Sequence, residues 1–124
     1  MIYSILIYGS EEVFDQLSTE EQDKVMAKHR ELQEKLKARG QFASFKLMPT
    51  NQAVTLRAPA KADEKPLVVD GPFAETKERF LGIYAAEFSS MEEAIDHAQL
   101  LSSPNVTLEI RPHDWTGGVM GEAI

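Results

Sequence analysis

The sequence predicts an α+β fold, a four-stranded antiparallel sheet with two helices on one face, and three observations carry that prediction. Two capping-box patterns, Ser18-Thr19-Glu20-Glu21 and Ser90-Met91-Glu92-Glu93, each open a helical stretch. In both, the serine side chain accepts from a backbone amide of the first turn and the glutamate reaches back. Four other stretches alternate, or run apolar on both faces, as strands do. Once one polar, proline-flanked insertion is set aside, the order is strand, helix, strand, strand, helix, strand.

Composition bounds the answer before any motif does. The 124 residues fit one domain, 1–124, long enough to bury a core without covalent staples. With no cysteine, disulfides, thiolate metal sites and a cysteine nucleophile are excluded, and a cytoplasmic location is expected. The 13 basic and 20 acidic residues leave a formal charge of −7, a field that repels phosphate backbones, so nucleic acid is not an expected partner. The apolar start, Ile2 to Tyr8, lacks a basic flank and is broken by Ser4 and Gly9, so it reads as neither signal peptide nor membrane span.

Met1 to Tyr8 is rich in β-branched and aromatic residues and stops at Gly9-Ser10, which marks a central strand. Glu11 to Leu17 reads as a loop with one helical turn. From Ser18 a long helix runs to about Arg39, where Gly40 ends it. Val25, His29, Leu32 and Leu36 recur at steps of four, three and four, which puts His29 on the apolar face. Gln41 to Met48 is the second strand, ended by Pro49. Val54-Thr55-Leu56 and Leu67-Val68-Val69 read as short strands of an inserted hairpin over about 51–69, with residues 58–66 as its mobile tip. Asp70-Gly71-Pro72 is turn chemistry: an accepting carboxylate, a residue that permits positive φ, and a fixed φ without a donor. Phe80 to Phe88 is a well-covered strand in which Gly82 marks a bulge or a close backbone approach. The second helix buries Ala94, Ile95, Ala98 and Leu101, leaves His97 off the apolar stripe, and ends at Ser102-Ser103-Pro104-Asn105. Val106 to Arg111 alternates strictly, which puts Glu109 and Arg111 together on one sheet face. The tail, 113–124, shows no periodicity.

This order is the split βαβ arrangement of a ferredoxin-like βαββαβ fold. Two helices on one face leave the other uncovered, yet the strands are apolar on both sides. A two-fold homodimer, sheet against sheet, is therefore expected.

Asp70-Gly71-Pro72-Phe73-Ala74-Glu75-Thr76-Lys77-Glu78, then Gly82, Glu93-Ala94-Ile95 and Glu109-Ile110-Arg111-Pro112, resemble the DGPF branch of the YCII-related proteins. The resemblance spans the chain from the first strand to Pro112. It implies the dimeric α/β barrel version of the same fold. It also implies a proposed active site that pairs a helix histidine with an aspartate near the end of the second helix. His29 matches that histidine in position, whereas the place before Pro104 is held by Ser103. DGPF members are further associated with extracytoplasmic-function sigma factors, as neighbours or fused domains, which implies a sigma-factor association for this chain.

His29 has two readings: a core histidine bonded to a backbone carbonyl, or a general base or acid oriented by a carboxylate. Asp70 is the first candidate for that carboxylate and Glu75 the next, against the plainer reading that Asp70 only bonds its own turn. Arg111 and Glu109 hold a small anionic ligand or pair with charges on a second subunit. Glu75 and Lys77 carry the same ambiguity, and Phe73 is expected to pack and fix the bend. His29, His97 and His113 lack metal-ligand spacing, and there is neither a Gly-x-Ser-x-Gly nor a glycine-rich phosphate loop, so no metal or cofactor is expected. Two functions follow. One is a dimeric module that binds a small ligand or serves transcription control, with 70–78 as recognition element. The other is a cofactor-independent acid-base enzyme, of isomerase or lyase type, acting on a small organic acid through His29 and Asp70.

Overall fold

A computed structural model describes residues 1–120, Val119 by its backbone alone. Of the tail expected to be irregular, residues 121–124 lie outside the described residues. The elements are β1 (Ile2–Gly9), α1 (Val13–Gln16), α2 (Thr19–Arg39), β2 (Phe42–Lys46), β3 (Val54–Arg57), β4 (Leu67–Asp70), β5 (Arg79–Glu87), α3 (Met91–Ala98) and β6 (Val106–Pro112), with short 3₁₀ turns at Thr50–Gln52, Gln99–Leu101 and Gly118–Met120.

β1, β2, β5 and β6 form one antiparallel sheet in the order β2-β5-β1-β6. This is the α+β, ferredoxin-like arrangement that the element order predicts. β3 and β4 pair with each other in a separate two-stranded sheet. α2 begins where the capping box places it: the amide of Glu21 donates to Ser18 Oγ at 3.1 Å and the amide of Ser18 donates to Glu21 Oε1 at 3.3 Å. Such a cap satisfies two amides that the first turn leaves without partners. At α3 only half of the box forms: Ser90 accepts from the Glu93 amide, while the Glu93 carboxylate accepts from the amide of Ser89 instead of Ser90.

The core lies between the helices and one sheet face. Tyr3, Ile5 and Ile7 of β1 and Tyr84, Ala86 and Phe88 from β5 and its end pack against Leu32 and Leu36 of α2 and Ala94 and Ala98 of α3. Ile5, Leu32, Leu36 and Phe88 are fully enclosed, each worth about 1.5–3 kcal/mol of transfer free energy. One detail of α3 departs from expectation. His97, not Ile95, joins the buried side: its ring packs on Phe88 with centroids 5.0 Å apart, and Ile95 is 38% exposed. Ala94, Ala98 and Leu101, with the half-buried His97, keep the i, i+3, i+4, i+7 stripe, and the ring of Phe88 meets that stripe at the imidazole.

Gly82 meets the close approach that the sequence predicts. A Cβ there would stand 2.5 Å from the Phe45 carbonyl oxygen on β2, and the β1–β5 register slips beside it, between Ile7 and Tyr8. Gly71 holds φ +99°, and its amide donates to the Ala53 carbonyl at 2.7 Å, so the turn after Asp70 needs glycine. The expected packing of Phe73 is overturned, since its side chain is 78% exposed. The bend is held instead by arginines from the flanking strands: Arg57 donates to the Phe73 carbonyl at 3.2 Å and Arg79 to the Ala74 carbonyl at 2.6 Å.

Candidate functional site

α2 lies across the sheet with Leu32 and Leu36 seated in the core, and the same helical stripe carries His29 over β5. There the imidazole stacks on Tyr84, with centroids 5.8 Å apart and planes inclined by 25°. Nδ1 of His29 lies 2.8 Å from the Tyr84 hydroxyl, and Nε2 of Gln33, one turn further along α2, donates to that hydroxyl at 3.0 Å. A phenol has one proton to give. With Gln33 donating to the oxygen, the phenol proton is available to Nδ1, and the His29 tautomer with hydrogen on Nε2 accepts it; Nε2 is the nitrogen that Tyr84 does not engage. Burial, and next to it the positive charge of Lys46, hold its pKa below the ordinary 6.5. A half-buried imidazole under those influences is neutral at physiological pH.

His29, Tyr84 and Gln33 line a cavity of about 480 Å³ between α2, the sheet and the turn after α3. Its walls are largely apolar, with Phe14, Leu17, Val25, Leu81 and Leu101 among them. Among the described residues its cations are Lys24, Lys28 and Lys46, and no carboxylate lines it. Lys24 and Lys28 share their charge with Glu20 and Glu31 at 3.7 Å on the exposed side of the helix. Lys46 stands over the Phe14 ring at 5.7 Å. In a chain of net charge −7, this cavity is a local positive exception. Ser103 also lines it.

The YCII-related domain model matches residues 1–111. The chain belongs to the YCII-related family. It is 40% identical over 116 residues to an uncharacterised protein of Rhizobium meliloti (strain 1021), an alignment that covers 90% of this chain and 91% of that protein. His29 and Ser103 line the same cavity. The second bears a hydroxyl that accepts from the Asn105 amide at 3.2 Å.

The remaining sequence-derived candidates lie elsewhere. Asp70 ends β4 opposite Val54 and is absent from the cavity lining. Phe73, Glu75 and Lys77 sit in the segment between β4 and β5. Glu109 and Arg111 share the sheet face turned away from the helices, Glu109 accepting from the Tyr8 hydroxyl at 3.4 Å and Arg111 lining a second, more open depression. Tyr84, Gln33 and Lys46 were not among the sequence-derived candidates. A signal existed for two of them. A tyrosine inside an apolar strand must find a partner for its hydroxyl, and Gln33 stands four residues after His29, on the same helical face. Among the described residues no helix is long and apolar enough to cross a membrane.

Proposed function

We propose that this chain is a small-ligand-binding module that takes a small organic acid with an apolar body into the His29 cavity. The observation that carries the reading is the lining itself: among the described residues, a half-buried imidazole bonded to the Tyr84 hydroxyl, lysines at 24, 28 and 46, apolar walls and no carboxylate. Such a site offers a hydrogen-bond donor and cations to a carboxylate and an apolar surface to the rest of the ligand. Arg111, with Glu109, offers a further anion contact on the opposite sheet face, and the 70–78 segment, with Phe73, Glu75 and Lys77 exposed, serves as a recognition surface.

The module acts as a homodimer. Phe45, half exposed, lies in register with Ile83 and Leu6 on a face that neither long helix covers, an apolar strip that a second copy would bury. A part in transcription control, through the sigma-factor association of the DGPF proteins that the chain resembles, is the regulatory form of the same reading.

The second reading is acid-base chemistry on a small organic acid. It draws on the neutral state of His29, which can exchange a proton with a ligand, with Asp70 as its orienting carboxylate. The absence of a carboxylate from the lining among the described residues favours binding.

Titration of the protein with benzoate and with hexanoate, followed by NMR, separates the readings. Binding in the cavity moves the resonances of His29, Tyr84 and Lys46, and Lys46→Ala weakens it several-fold. Shifts confined to Arg111 and its neighbours, or no shifts at millimolar ligand, overturn the assignment.

A further inference from the structure

The sheet face opposite the His29 cavity carries a second set of chemistry-bearing side chains. Ser4 lies in the middle of β1 and is 6% exposed. His113 follows β6, where its amide donates to the Ile2 carbonyl at 2.8 Å and fixes it beside β1. Its ring bridges two hydroxyls: Nε2 meets Ser4 Oγ and Nδ1 meets Thr116 Oγ1, each at 2.5 Å. A neutral imidazole has one donor and one acceptor. When Nδ1–H donates to Thr116, Nε2 accepts the Ser4 hydroxyl proton, which is the order nucleophile, base, orienting group.

The register supplies room and charge beside the serine. Ser4 pairs with Ala85 on one side and Arg111 on the other, and Ala85 pairs with Ala43. Three small side chains therefore run across the sheet and end at a guanidinium. Phe45, Ile83 and Leu6 form the next row. Ser4 and Ala85, at 6% and 7% exposure, are the floor of a groove rather than a flat surface. Ser4, Leu6, Ile83, Arg111, His113 and Trp115 line a depression of about 470 Å³ there.

We propose that Ser4 and His113 form a nucleophilic acyl-transfer site for esters or thioesters of small dicarboxylic acids, with Arg111 holding the free carboxylate and Thr116 positioning the imidazole. Ser4 Oγ attacks the acyl carbon while His113 Nε2 takes its proton. The bond to the leaving oxygen or sulfur breaks, and that atom receives the proton from His113. Water then attacks the acyl-serine, His113 takes a proton from the water, and the proton returns to Ser4 as the free acid leaves. The site is independent of the His29 reading, from which the sheet separates it.

The test is pre-steady-state hydrolysis of p-nitrophenyl acetate and of mono-p-nitrophenyl succinate by the full chain, with peptide mass mapping of the acylated protein. The expected result is a burst of p-nitrophenolate, an acyl group on the peptide containing Ser4, and faster acylation by the succinate ester. Ser4→Ala, which removes one atom, abolishes burst and label with an unchanged near-ultraviolet spectrum, whereas Ser4→Cys is still acylated, as a thioester. His113→Gln slows acylation by about 100-fold or more, the usual weight of a general base, and Arg111→Gln removes the preference for the succinate ester. Thr116→Val lowers the acylation rate constant and displaces its pH profile, and Thr116→Ser restores both. No burst from the native chain, label on lysines instead of Ser4, or an undiminished burst from Ser4→Ala overturns the proposal and leaves the Ser4–His113 bond as a tether of the tail.

Discussion

The Tyr84 hydroxyl stands between two side chains of one helix, 2.8 Å from Nδ1 of His29 and 3.0 Å from Nε2 of Gln33. When the phenol gives its proton to Nδ1, the hydrogen of His29 sits on Nε2. Tyr84→Phe is therefore expected to release the tautomer. Long-range nitrogen-proton NMR spectra, which show the Nε2–H form in the native chain, are expected to show a mixture in the variant. The stability cost is about 1 kcal/mol, that of a part-buried hydrogen bond. A variant in which the tautomer is unchanged would show that another group sets it.

His29 also makes stability depend on pH, and the direction is fixed by its lowered pKa. Between the folded value and the ordinary 6.5, the unfolded chain binds a proton that the native chain does not, so acid favours unfolding there. The contribution is fully present above 6.5 and is lost as pH falls through the folded pKa. Lys46 adds to it, since its charge repels the imidazolium. Urea midpoints are expected to decline below about pH 6.5 in the native chain and to stay flatter in His29→Gln. Glu93, whose pKa is lowered below 4.5 by the Ser89 amide and Arg39, titrates under more acidic conditions and does not obscure the comparison.

Asp70 offers a direct contrast with Tyr84. It lies on β4 of the hairpin, outside the cavity lining, so Asp70→Asn is expected to leave the His29 titration curve in place. A clear shift in that variant would revive the carboxylate-histidine pair and with it the acid-base reading. Asparagine is the better substitution than alanine here, because it removes the charge and keeps the size of the side chain.

What the sequence made legible follows from the range of each interaction. Helix starts, the Gly71 turn and the two-residue alternation of β6 are local, and Ser18, Ser90 and Gly71 announce them within four residues. His29 was legible as a position on a stripe, since periodicity is also local. Its partner was not: Tyr84 is 55 residues away, and although a tyrosine inside an apolar strand must find a partner for its hydroxyl, nothing in the β5 pattern says which residue that is. The Ser4, His113 and Thr116 contacts were hidden for the same reason, with the added difficulty that the segment after β6 has no period. Phe73 was misjudged because an apolar residue in a turn is indistinguishable, in sequence, from one that packs.

Gly82 tests the sheet geometry that positions Tyr84. A side chain at this position would drive a Cβ to 2.5 Å from the Phe45 carbonyl oxygen and 3.3 Å from the Lys46 Cα. Both neighbours are backbone, so relief requires β2 to move. Gly82→Ala is expected to destabilise by about 1–3 kcal/mol, the range for overpacking, in a denaturant titration. Because Lys46 and Tyr84 sit at either side of the strained contact, the His29 pKa should rise toward its ordinary value as Lys46 is pushed away. A variant as stable as the native chain would mean that the two strands separate easily.

The proposed dimer rests on the apolar row Phe45, Ile83 and Leu6, of which Phe45 is the most accessible at 49% exposure. Phe45→Glu places a charge at the edge of that row on β2, an outer strand of the four-stranded sheet. A half-exposed edge position tolerates glutamate in the monomer at small cost, but a buried unpaired carboxylate between two sheets costs several kcal/mol. Two copies related by a two-fold axis incur it twice. Sedimentation equilibrium at micromolar concentration is therefore expected to show a dimer for the native chain and a folded monomer for Phe45→Glu, with the helical circular dichroism of the two alike. A native chain that sediments as a monomer would remove the dimer, and an undisturbed dimer in the variant would place the interface on another surface, the exposed β3–β4 hairpin being the next to test through Leu56→Glu and Val68→Glu, both of which lie more than half exposed.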